Sequence, residues 1–202
     1  MSGRCAIAAA ALVAGCAFGP RGGPVATHDF GVPPEDPPGA ASVAVREVEV
    51  SAPSWLDDAA LQYRLAWASA TQRHAYRDSR WAAPPGELLA QLLRRSVLAA
   101  SPVPGAGGCR LRVALEEFEQ RFDAPRSSRA VVRARAELLG GRRGAVLAAR
   151  EFGADRPAAN ADAAGGAAAL SAAARELVDQ VRDWLAGMDA SGCRGIEFRR
   201  SQ

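Results

Sequence analysis

The sequence predicts an α+β fold, a single domain of mainly antiparallel sheet with two helices packed on one face. Three observations carry this. Six stretches alternate apolar and polar residues or read as β-rich runs. Two others repeat their apolar residues at three- and four-residue steps. They follow one another as three strands, helix, three strands, helix (βββα-βββα).

Val43, Val45, Val48 and Val50 form the first β-rich segment, with a phase shift between Val45 and Val48 that a bulge explains. Pro53 ends it. Leu61, Tyr63, Leu65 and Trp67 alternate with Gln62, Arg64 and Ala66, as a half-buried strand does. A third strand is expected from His74 to Trp81. Pro84-Pro85-Gly86-Glu87 opens a helix, since proline loses nothing in the first turn, where its missing N–H has no partner. Leu88, Leu89, Leu92, Leu93 and Val97 give that helix one apolar face.

Cys109 to Phe122 reads as a long strand. Leu111, Val113 and Leu115 share one parity, while Phe118 and Phe122 fall on the other. A bulge near Glu116-Glu117 brings both sets to the core. Asp123-Ala124-Pro125-Arg126 is a turn, Ala130 to Leu139 the return strand, and Ala145 to Phe152 the last strand of the meander. Leu170, Ala174, Leu177, Val178, Val181, Trp184 and Leu185 stripe the final helix.

Ahead of this domain lies a secretory pattern. One positive residue, Arg4, precedes an apolar run from Cys5 to Val13, then small residues. The run is far shorter than the roughly 20 residues that cross a bilayer. Leu12-Val13-Ala14-Gly15-Cys16 fits a lipobox, so residues 1–15 are expected to be removed and Cys16 to carry lipid. Residues 16–41, rich in Pro and Gly, read as a flexible tether. Nearly extended, such a stretch spans up to roughly 80 Å. The domain is placed at 42–190, and residues 191–202 form a polar tail.

Removing residues 1–15 leaves 187 of the 202, enough for one domain with a real core. All 25 basic residues are arginine, and the formal net charge is only +3. So small a charge argues against a dedicated nucleic-acid binder. Cys109 and Cys193 remain once Cys5 is cleaved off and Cys16 lipidated. In an oxidising compartment they invite a disulfide, with two free thiols as the alternative. No nearby His or Cys completes a zinc site, and no metal or cofactor is expected.

Catalytic patterns are missing too. His28 falls in the tether and His74 in a strand, and no nucleophile elbow, HExxH helix or phosphate-binding loop occurs. Glu116, Glu117 and Glu119 form the densest acidic cluster. Successive strand residues face opposite ways, so the three cannot all converge without a bulge. They are read as a solvated or partner-facing edge whose replacement leaves folding intact. Arg126, Arg129, Arg133 and Arg135 are placed to offset their charge across strands. Trp55, Trp67, Trp81 and Trp184 are read as core or rim anchors.

Taken together, the lipobox, the stretch VEVSAPSWLDDAALQYRLAWASATQRHAYRDSRWAAPPGELLAQLL, and CRLRVALEEFEQRFDAPRSSRAVVRARAEL resemble the ABC-type transport auxiliary lipoproteins, the PqiC-like group of Gram-negative bacteria. Phe118-Glu119-Gln120 with Phe122-Asp123, and a C-terminal helix ending in Asp183-Trp184-Leu185, belong to the same pattern, which covers roughly residues 43 to 186. The resemblance implies a non-enzymatic lipoprotein of a lipid-trafficking system. Its partners would be a periplasmic MCE-domain protein and the ABC transporter behind it, with self-association left open. It implies an anchor in the outer membrane facing the periplasm, to which Ala17 adds weight, since an aspartate there would favour inner-membrane retention. The competing readings are a secreted lipoprotein hydrolase using the acidic cluster and a lipid-binding shuttle.

Overall fold

The computed structural model describes residues 23–31, 43–98, 108–140 and 144–193. The expected signal peptide, Cys16 and the tail beyond Cys193 lie outside them. The fold is one α+β domain. Among the described residues its seven strands are β1 (Ala26–His28), β2 (Val45–Ser51), β3 (Ala60–Leu65), β4 (His74–Trp81), β5 (Cys109–Ala124), β6 (Ser127–Gly140) and β7 (Ala145–Pro157). Its helices are α1 (Pro85–Leu93), which runs on into a π-helical turn at Arg94–Leu98, and α2 (Ala163–Ala186).

All strands join one sheet in the order β1-β4-β3-β5-β6-β7, with β2 also paired to β5. The β5–β6–β7 meander and the β3–β4 pair are antiparallel. The β1–β4, β2–β5 and β3–β5 pairs are parallel, which makes the sheet mixed. β5 is the spine. β2 pairs with its first half and β3 with its second, along the same edge, while β6 follows the whole of the other.

The ladder slips between Leu115 and Glu117, where the parity of the apolar residues changes. That slip aims Leu111, Val113, Leu115 and Phe118 into one core. A second slip, between Val45 and Glu47, does the same for Val45 and Val48. The core lies between the sheet and the helices, with Leu170, Leu177, Val178, Val181 and Leu185 of α2 and Leu88, Leu89, Leu92 and Leu93 of α1 buried in it.

The segment 23–31 corrects the expected tether. Ala26–His28 adds a parallel strand to the β4 edge, and Phe30 is buried, its ring 5.5 Å from Trp81 and 5.7 Å from Phe118. Arg175 donates to the Phe30 carbonyl and Ser171 to that of Asp29. Burying one aromatic ring contributes a few kcal/mol, enough to order a short polar stretch beside it. The C-terminal boundary also moves. Ala190–Cys193 form a 3-10 turn, and Cys193, expected in the polar tail, is buried. A Cβ at Gly140 or Gly192 would come within 2.7 Å of Leu147 Cδ1, so the two glycines let this turn close over the sheet end. The structure bonds Cys193 to Cys109 at the start of β5, with Cα atoms 4.9 Å apart.

Candidate functional site

The three glutamates separate by burial. Glu116 is exposed and Glu117 half-buried. Glu119 is 0% exposed and is not partner-facing. Beyond the bulge its side chain leaves the sheet on the face opposite the helices, where arginines enclose it. Arg64 on β3 grips it as a fork, Nε to Oε1 at 2.8 Å and Nη2 to Oε2 at 3.0 Å. Arg73 reaches Oε2 at 2.8 Å, and Arg121 Nη2 reaches Oε1 at 2.9 Å. Burial pushes this carboxyl up. Hydrogen bonds from Arg64 and Arg121 and the charges of Arg64 and Arg73 outweigh it, and the group is held below the ordinary glutamate range.

Of the arginines expected to offset the acidic cluster, Arg133 lies opposite Glu117 across the β5–β6 ladder and feels its charge, and Arg126 is exposed, but the close ion pairs of Arg129, Arg133 and Arg135 are with other carboxylates. Arg133 holds Asp155 at 2.5 Å, Arg129 pairs with Asp123, and Arg135 lies 3.6 Å from Glu151. With Arg112 between Glu49 and Glu137, they cover the open face of the sheet with alternating charge. Exposed pairs of this kind contribute little each.

Gln120, next along β5, points the other way and is also fully buried. Tyr76 donates to its Oε1 at 2.9 Å, and its Nε2 donates to Ser128 Oγ at 2.8 Å and to the Asp162 carbonyl at 3.2 Å. Burial, the largest cause, with the charges of Tyr63, Asp162 and Asp78, pushes the Tyr76 hydroxyl up to about 12, which keeps it a neutral donor. Asp162 caps α2 by accepting from the Gly165 N–H at 2.7 Å. The helix start sits so close that a Cβ at Gly166 would lie 2.0 Å from Gln120 Oε1. Gly166→Ala is therefore expected to cost about 1 to 3 kcal/mol, read as a lowered denaturation midpoint; an unchanged midpoint would show that this contact is loose.

Sequence reasoning missed both nodes. Arg64 and Glu119 are 55 positions apart, and Tyr76 and Gln120 are 44. The nearest signal was Gly165-Gly166 at a helix start, where small residues mark a close approach. His74 stacks on Tyr63 at 5.0 Å. Trp81 is core and Trp184 packs on Phe152, while Trp55 and Trp67 are about half exposed. Among the described residues, no group of three His, Cys, Asp or Glu side chains could hold a metal ion, and no helix is long and apolar enough to cross a membrane.

A family model described as the ABC-type transport auxiliary lipoprotein component matches residues 30–182. The chain belongs to this family. The matched region of this auxiliary component begins at Phe30, the first core residue, and ends in the last turns of α2. A crystal structure of a Xanthomonas campestris protein is 20% identical with TM-score 0.63, covering 81% of this chain and 92% of that one. A second crystal structure, of an uncharacterized protein, is 16% identical with TM-score 0.59, covering 81% and 99%. At these identities both show the fold alone. Among curated proteins no match is found. In the Phe118-Glu119-Gln120 run that carried the resemblance, Phe118 belongs to the core, and Glu119 and Gln120 each form a buried polar node, one on each face of the sheet.

Proposed function

We propose that this auxiliary lipoprotein is a non-enzymatic accessory subunit of an MCE/ABC-type lipid-transport system, anchored through Cys16 in the outer membrane and facing the periplasm, where it helps keep the envelope intact. The observation that carries the non-enzymatic reading is the state of Glu119. Both its oxygens are taken by three arginines, and Glu117 is itself paired with Arg121. The buried glutamate that a hydrolase would use is engaged in holding β3 and the β3–β4 connection to β5. Family membership supports the transport role, and the lipobox supports the anchor.

The test is fractionation followed by capture. The native protein is expected in the outer-membrane fraction, and Cys16→Ala, exported behind a cleavable secretory signal in place of residues 1–15, in the soluble periplasm. Multiple acyl chains hold a protein stably where one does not. Pull-down from the native host is expected to recover an MCE-domain protein, and deletion to raise detergent sensitivity. A soluble native protein would refute the anchor. A turnover abolished by Glu116→Ala with Glu117→Ala would refute the adaptor.

A further inference from the structure

Strand β1 changes where the membrane sits relative to the fold. Ala26, the first residue paired to the sheet, lies ten positions after Cys16. Fully extended, that interval reaches at most about 33 to 36 Å. It does not reach the roughly 80 Å that a tether running to residue 41 would allow. Ala26 pairs with Ser79 at the outermost position of the sheet. The opposite edge is β7, five strand spacings away, or about 24 Å. β7 is thirteen residues long, with only Phe152 and Ala154 buried. The two edges of the sheet are therefore unlike: one ends a short leash, and the other is long and open.

We infer that the auxiliary lipoprotein approaches its own lipid leaflet by the β1–β4 edge, and that β7 is the side turned away from the bilayer. The occupant of the β1 side is the headgroup layer that holds the Cys16 acyl chains. The inference rests on the lipid anchor proposed above. Phe30, Arg175 and Ser171 make it possible, because they fasten the 23–31 segment to α2 so that the leash cannot lengthen by peeling.

The experiment uses the full, lipidated chain in vesicles of phosphatidylethanolamine and phosphatidylglycerol with a fluorescent acceptor on a fraction of the headgroups. A donor dye is placed after folding at Thr27→Cys on β1 or at Ala149→Cys on β7, both exposed positions. Energy transfer to the headgroups is expected to be at least twofold stronger from position 27. Inserting twenty Gly/Ser residues between Gly22 and Gly23 should bring the two positions together. Equal transfer without the insertion, or stronger transfer from position 149, overturns the orientation. A difference that survives the insertion overturns the short leash as its cause. Protein that fails to float with the vesicles refutes the anchor itself, and the orientation with it.

Discussion

Removing the Cys109–Cys193 bond is expected to lower stability by about 4 to 5 kcal/mol, because it closes a loop of 84 positions. With both cysteines changed to alanine, the urea midpoint should fall by roughly 2 M for a domain of this size. Reducing the unaltered protein should reproduce most of that shift. Both sulfurs are buried, so the double variant also leaves a small void. The difference between reduction and mutation measures that void. Non-reducing mass spectrometry of periplasmic protein should find the two peptides linked. Two alkylatable thiols, or a reduced protein as stable as the oxidised one, would show that the bond contributes nothing in solution.

Replacing Glu119 should be nearly as damaging. Glu119→Gln keeps the shape but leaves the Arg64 guanidinium, only 11% exposed, without its counter-charge. Breaking a buried pair costs about 3 to 5 kcal/mol. Arg73 and Arg121 are more open to water, and screening there puts the value at the lower end. The pH dependence follows from the lowered carboxyl. Its folded value lies below the unfolded value of about 4.5, so the unfolded chain binds more protons in that window. The stabilisation is fully present above about pH 4.5 and is lost as the pH falls through the folded value. The gap between the native protein and Glu119→Gln is thus expected to be widest at pH 7 and to narrow in acid. An unchanged midpoint at pH 7 would mean the carboxylate is dispensable. Glu119 is thus expected to behave unlike Glu116, whose exposed side chain should tolerate alanine within about 0.5 kcal/mol.

Local patterns were legible wherever they were long. The parity change between Leu115 and Phe118 located the slip in β5, and the stripe from Leu170 to Leu185 located α2. β1 was not legible. It is three residues long, flanked by Pro24 and Gly31, and pairs with a strand 53 positions on. Nothing around it repeats, and Phe30 alone signals burial. The parallel pairings were hidden for the same reason, since alternation reports which face a residue takes and not which strand lies beside it. The charged node followed suit: three glutamates within four positions looked like surface, and only the bulge and the distant Arg64 make one of them interior.

The three parallel pairings impose an order on assembly. Val45 waits for Cys109, Tyr63 for Gln120, and Ala26 for Ser79. A chain emerging amino end first, from a ribosome or a translocation pore, can form the β3–β4 hairpin early but has no spine to lay it on until β5 is out. Contacts this far apart in sequence also close slowly. Until roughly its first 124 residues have emerged, β1, β4 and β3 lack the strand that joins them to β2 and to the rest of the sheet, and the polypeptide stays threadable.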